Sequence, residues 1–77
     1  MKIELKFCSQ WNYAPQAASL ASKIFGEFGT KVSSLNLIPD GGGCFELSLD
    51  GELTYSKLQT GEFPDEGKML EEIAKRF

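Results

Sequence analysis

The sequence predicts an α+β domain, a two-layer α/β sandwich in which a four-stranded mixed sheet carries both helices on one face. Three observations predict it. Apolar and polar residues alternate in two separate stretches, Lys2–Phe7 and Phe45–Leu49, as they do in half-buried strands. Two other stretches, near Ala14–Phe28 and after Asp65, space their apolar residues by three and four, as amphipathic helices do. Between the last strands stands Asp50-Gly51, a two-residue hairpin signal.

The elements follow in order β-α-β-β-β-α. Ile3, Leu5 and Phe7 alternate with Lys2, Glu4 and Lys6, giving a first strand with one apolar and one charged face. Cys8-Ser9-Gln10-Trp11-Asn12 breaks the alternation and reads as a loop. Pro15 falls in the first helical turn, where its missing N–H costs nothing. Ala17, Leu20, Ala21, Ile24 and Phe28 then mark a helix from about Ala14 to Phe28, stopped by Gly29. Lys31 to Ile38 reads as a second strand carried by Val32, Leu35 and Leu37, although Ser33, Ser34 and Asn36 blur its period. Pro39-Asp40-Gly41-Gly42-Gly43 reads as a loop that lets the chain turn near the cysteine loop. Phe45, Leu47 and Leu49 form the third strand, and Leu53 and Tyr55 the fourth. Lys57 to Pro64 reads as a longer loop, with Lys57 a solvated charge and Phe63-Pro64 setting the approach to the last helix. Asp65 opens that helix, and Met69, Leu70, Ile73, Ala74 and Phe77 form its apolar stripe. Asp65 and Glu66 lie at the positive end of its dipole, Lys75 and Arg76 at the negative end.

The first strand–helix–strand unit is expected to be parallel and right-handed. The polar parity shared by Lys2, Glu4, Lys6, Glu46 and Ser48 leaves one sheet face to water, so both helices belong on the other.

Composition bounds the function. Seventy-seven residues, 42% of them hydrophobic, make one small domain, residues 1–77, with a modest core. A net charge of −3 argues against nucleic acid and anionic membrane surfaces, which need clustered Lys and Arg. The alternating start lacks the apolar run of a signal peptide, and no stretch approaches the about 20 apolar residues of a spanning helix. A soluble, cytoplasmic protein is expected. No histidine is present, which removes Ser-His and Cys-His catalysis. Two cysteines cannot ligate a four-coordinate zinc, and the acidic residues show no metal-ligand spacing. Gly41-Gly42-Gly43 is not a phosphate loop, since it lacks the Gly-Lys-Ser/Thr ending and precedes a strand. No bound cofactor is expected.

Cys8 is the candidate nucleophile, because it lies between a strand and a helix start. Helix N-termini carry partial positive charge and unpaired N–H groups that favour thiolates, and a thiolate is the attacking species in thiol–disulfide exchange. The competing reading of Cys8 is an inert small hydrophobe.

The stretch Phe7-Cys8-Ser9-Gln10-Trp11-Asn12-Tyr13, followed by Pro15-Gln16-Ala17-Ala18, resembles the selenoprotein W-like (Rdx) family, whose first strand ends in Cys-x-x-Sec or Cys-x-x-Cys. Gly43-Cys44-Phe45-Glu46-Leu47 looks like the family's Gly-x-Phe-Glu-Val strand. Asp50-Gly51 with Tyr55-Ser56-Lys57 resembles its Gly-x-x-x-x-Ser-Lys hairpin, and Gly61-Glu62-Phe63-Pro64-Asp65 its Gly-x-Phe-Pro-Asp lead into the last helix. The resemblance implies a thioredoxin-like fold and a role in cell redox homeostasis. It implies a thiol or selenol reaction on peroxides or mixed disulfides, with glutathione as co-substrate and glutathione or a thioredoxin-type protein as reductant. Carried over by position, Cys8 is the first redox residue, Ser9 and Gln10 are the intervening loop, and Trp11 stands in the place of selenocysteine or the second cysteine.

An indole forms neither a disulfide nor a selenenylsulfide, so Trp11 departs from the family's chemistry. Two explanations stand. In one, codon 11 is a UGA for selenocysteine, which differs from the Trp codon only in its last base; the selenol would attack and Cys8 would resolve. In the other, Trp11 is native and the protein is a monothiol variant or a redox-silent binder. In the Trp form a Cys8–glutathione mixed disulfide is the expected cycle. Cys44 also has two readings, a packed bystander or a resolving thiol for Cys8 if the third strand runs antiparallel beside the first. The alternative function is a protein-interaction module docking through the Cys8–Trp11 loop, since exposed Trp is favoured at binding hot spots. An enzyme needs an accessible Cys8, whereas a docking module needs an exposed Trp11.

Overall fold

The computed structural model describes residues 1–77. The chain folds as β1 (Lys2–Cys8), α1 (Ala14–Phe28), β2 (Ser34–Asp40), β3 (Phe45–Leu49), β4 (Glu52–Ser56), α2 (Lys57–Thr60) and α3 (Glu66–Ala74), with a 3₁₀ turn at Gly29–Lys31. The sheet order is β2-β1-β3-β4. β1 pairs in parallel with β2 and antiparallel with β3, so the first strand is central. This is the mixed four-stranded α+β sheet that the sequence predicts.

The alternation sorts the faces as expected. Ile3, Leu5, Phe45, Leu47 and Leu49 are buried, and Ala17, Leu20 and Ile24 of α1 join them with Met69 and Ile73 of α3 in one core. Both long helices therefore cover one face. Gly29 ends α1 with φ of 53°, a backbone state glycine enters without a Cβ penalty. Asp50 and Gly51 both have positive φ, as a type I′ hairpin turn requires. The Asp65 carboxylate caps α3 by accepting the Lys68 N–H at 3.0 Å.

Three expectations are corrected. The second strand starts at Ser34, not Lys31, and runs through Pro39 and Asp40. Val32 is buried ahead of it, while Leu37, expected to carry the strand, is 42% exposed. The reason is register: β1 runs to Cys8, and β2 follows it from Lys2↔Ser34 to Cys8↔Asp40. As an edge strand β2 tolerates Pro39. Second, the stretch read as one loop after β4 contains the short helix α2. Ser56 caps it, its hydroxyl accepting the Gln59 N–H, and Gly61 at φ of 82° ends it. Third, Lys57 is not simply solvated. Its ammonium lies 5.2 Å from the Tyr13 ring centre and 5.3 Å from that of Phe63, both within cation–π range.

Candidate functional site

The site is built where β1 ends. The Cys8 N–H donates to the Cys44 carbonyl at 2.8 Å, and the Cys8 carbonyl accepts the Tyr13 N–H at 3.1 Å. Between them, the Asn12 N–H returns to the Ser9 carbonyl, closing a tight turn, with Asn12 at φ of 58°. Asn is among the few residues that adopt this state readily. Tyr13 then caps α1. Cys8 is thus the last residue of the central strand rather than the first of a loop, held one tight turn ahead of the helix.

Cys8 has no exposed surface and Cys44 is only 4% exposed, whereas Trp11 is 60% exposed. Both cysteines are free thiols. The structure thus meets the exposure condition of a docking loop and withholds that of an open nucleophile. Cys44 precedes β3 by one residue. Its thiol is pushed above the ordinary value of 9.0, first by burial and then by the carboxylates of Asp40 and Glu46 and by Cys8. It is a neutral thiol at neutral pH.

The glycine run turns the chain as expected, and it also carries the cysteine loop. Gly42 and Gly43 have φ of 74° and 75°. The indole of Trp11 lies on the backbone of Gly43, where a Cβ would come within 2.5 Å of it. The Gln10 side chain lies beside Gly41, where an added Cβ would meet its Oε1 at 3.5 Å, an ordinary contact. The Ser9 N–H donates to the Asp40 carbonyl at 3.0 Å. Every residue from Ser9 to Trp11 is therefore seated on the β2–β3 connection.

Trp11 also begins a row of rings. Its centroid is 6.1 Å from Tyr13, Tyr13 is 4.6 Å from Phe63, and Phe63 is 5.3 Å from the buried Phe45, all edge to face. Phe63 thus anchors the lead into α3, as read from the sequence, and connects it to the cysteine loop. The spacing of Cys8 and Trp11 was open to sequence reasoning. The part of Lys57 and the Trp11–Gly43 contact were not, although three consecutive glycines signal a close backbone approach. A separate cleft of about 330 Å³ runs between Pro15, Ser19, Phe63 and Pro64, and no cysteine lines it. No helix is long and apolar enough to cross a membrane.

The Rdx family model matches residues 2–75. Among solved structures, a selenoprotein W-related protein from Vibrio cholerae superposes with a TM-score of 0.91 at 27% identity, covering 96% of this chain and 92% of that one. A protein from Bordetella parapertussis gives a TM-score of 0.94 at 22% identity, over 99% and 96% of the two chains. Among curated proteins, migration and invasion enhancer 1 is similar, at 31% identity over 74 residues in Mus musculus and 29% over 76 in Bos taurus. The alignments take in 95% and 97% of this chain but only 62% and 64% of those relatives, less than two thirds of their length.

Proposed function

The chain belongs to the Rdx family, and from that premise we propose that it is a thiol redox protein in which Cys8 exchanges with disulfides of the glutathione type. The observation that carries this reading is the seat of Cys8: the end of the central strand, with its carbonyl bonded to the cap residue of α1. A sulfur fixed there meets a substrate at the strand-to-helix turn. The attack leaves a mixed disulfide on Cys8, and a second thiol, from glutathione or a thioredoxin-type protein, returns it to the reduced state. Because Cys8 is wholly buried, exchange requires the Ser9–Asn12 turn to lift, and the chain with Trp11 reacts slowly. Free cysteines suit a reducing cytoplasm, where we place the protein.

Position 11 is where the second redox group of the family belongs, so Trp11→Cys is the decisive variant. It is expected to gain disulfide-exchange and peroxide-reducing activity with glutathione as reductant, and Cys8→Ser in the same background is expected to remove it. A Trp11→Cys protein that folds and gains neither activity refutes the proposal. The native codon assigns the residue: UGA beside a selenocysteine insertion element makes it selenocysteine, and UGG makes Trp11 native.

One observation favours a second reading, a docking module. Trp11 presents most of its indole to solvent while Cys8 is enclosed. Docking of a protein partner would be weakened by Trp11→Ala and indifferent to Cys8→Ser; the redox reading requires a response to Cys8→Ser.

A further inference from the structure

The antiparallel ladder between β1 and β3 has a definite register. Ile3 faces Leu49, Leu5 faces Leu47 and Phe7 faces Phe45. The Asp50 N–H donates to the Lys2 carbonyl, which makes the even-numbered positions of β1 the hydrogen-bonded ones. The step beyond Phe7 and Phe45 sets Cys8 opposite Cys44, and the Cys8 N–H does donate to the Cys44 carbonyl at 2.8 Å. Directly opposed residues of an antiparallel ladder have Cα atoms about 4.5–5.5 Å apart and point their side chains to the same face. Disulfides span Cα separations of about 4.4–6.8 Å. Both side chains are buried.

We propose that Cys8 and Cys44 form a resident dithiol that closes to a cross-strand disulfide, Cys44 supplying the resolving sulfur that Trp11 cannot. The inference rests on the reading of Cys8 as the attacking thiol. The oxidant is a low-molecular-weight disulfide such as oxidised glutathione. The Cys8 thiolate attacks one of its sulfurs, the glutathione S–S bond breaks, and one glutathione thiolate leaves. Cys44 then gives up its proton and attacks the Cys8 sulfur, expelling the second glutathione thiolate. The two protein protons go to the two leaving thiolates. Two protein thiols are oxidised and one glutathione disulfide is reduced to two glutathiones. Burial, and after it the carboxylates of Asp40 and Glu46, hold the Cys44 thiol above its ordinary value, in keeping with its place as the second sulfur to act.

The test is intact mass and non-reducing peptide mapping after treatment of the folded protein with oxidised glutathione. The unsubstituted chain should end lighter by two hydrogens, carry no glutathione, and yield one cross-linked peptide containing Cys8 and Cys44. Cys44→Ser, or Cys44→Ala if a buried hydroxyl prevents folding, should instead retain one glutathione on Cys8. A stable glutathione adduct on the unsubstituted chain, with no cross-linked peptide, overturns the dithiol while leaving Cys8 as the attacking thiol. A folded Cys44 variant that takes up no glutathione overturns the reading of Cys8 itself, and the dithiol with it.

Discussion

Gly43→Ala tests whether the cysteine loop is seated on the glycine turn as the structure has it. An added Cβ would lie 2.5 Å from Cζ3 of Trp11, 2.9 Å from Cε3 and 3.0 Å from Cη2, and ring atoms cannot give way without the indole leaving. The backbone contributes separately. A non-glycine residue at the positive φ of Gly43, 75°, costs about 1 kcal/mol. The covered two fifths of Trp11 amounts to about 100 Å² of a large aromatic, worth at most about 2.5 kcal/mol at about 25 cal/mol per Å². Gly43→Ala should therefore cost about 2–3 kcal/mol in the unsubstituted chain and about 1 kcal/mol in a Trp11→Ala background, a coupling of about 1–2 kcal/mol. Urea unfolding of the four proteins measures it. Trp11 is the only tryptophan, so its emission reports the same event without ambiguity. Gly43→Ala should shift that emission to the red and increase acrylamide quenching. Equal costs in both backgrounds with unchanged emission would refute the contact.

Three further outcomes follow from other contacts. Glu66 is held below the usual carboxylate range, chiefly by its bond to Lys23 and then by Ser19, so its contribution is present above about pH 4.5 and is lost as pH falls through the lowered value. Lys23→Met should cost about 0.5 kcal/mol at neutral pH, because the Lys23 side chain is half exposed, and progressively less as pH falls below about 4.5, read by urea unfolding across that range. The Cys44 thiol is displaced upward from 9.0, so folding stability is intact below that value and falls as pH rises through the folded one. Cys44→Ala should flatten the alkaline limb of the stability profile above about pH 9. Ser56 is buried, donates to Glu46 at 2.7 Å and caps α2. Ser56→Ala should lower the thermal midpoint by an amount equal to about 1 kcal/mol.

Elements that answer to their own local chemistry were legible. β1 and β3 carry strict alternation, α1 and α3 carry helical stripes with a glycine stop and an acidic cap, and Asp50-Gly51 marks the hairpin. β2 was misplaced because an edge strand is ordered by its neighbour, and the length of β1 fixes its end at Asp40. α2 is four residues long, too short to show a period, although Ser56 and Gly61 are the cap signals that bracket it. At the site, the Cys8–Trp11 spacing could be read directly. The enclosure of Cys8 and the seat of Trp11 on Gly43 could not, because both arise from segments about thirty residues apart meeting across the sheet.

The central position of β1 also sets a clock for the sulfur chemistry. A strand bonded on both edges exchanges its amide hydrogens only through the openings that unfold the sheet, while turns closed by single hydrogen bonds open locally and often. Cys8 belongs to the first class through its own N–H, and the Ser9–Asn12 turn beside it belongs to the second. Opening events that expose the sulfur are therefore decoupled from those that would displace it, and the thiol keeps its register opposite Cys44 each time the turn lifts and closes.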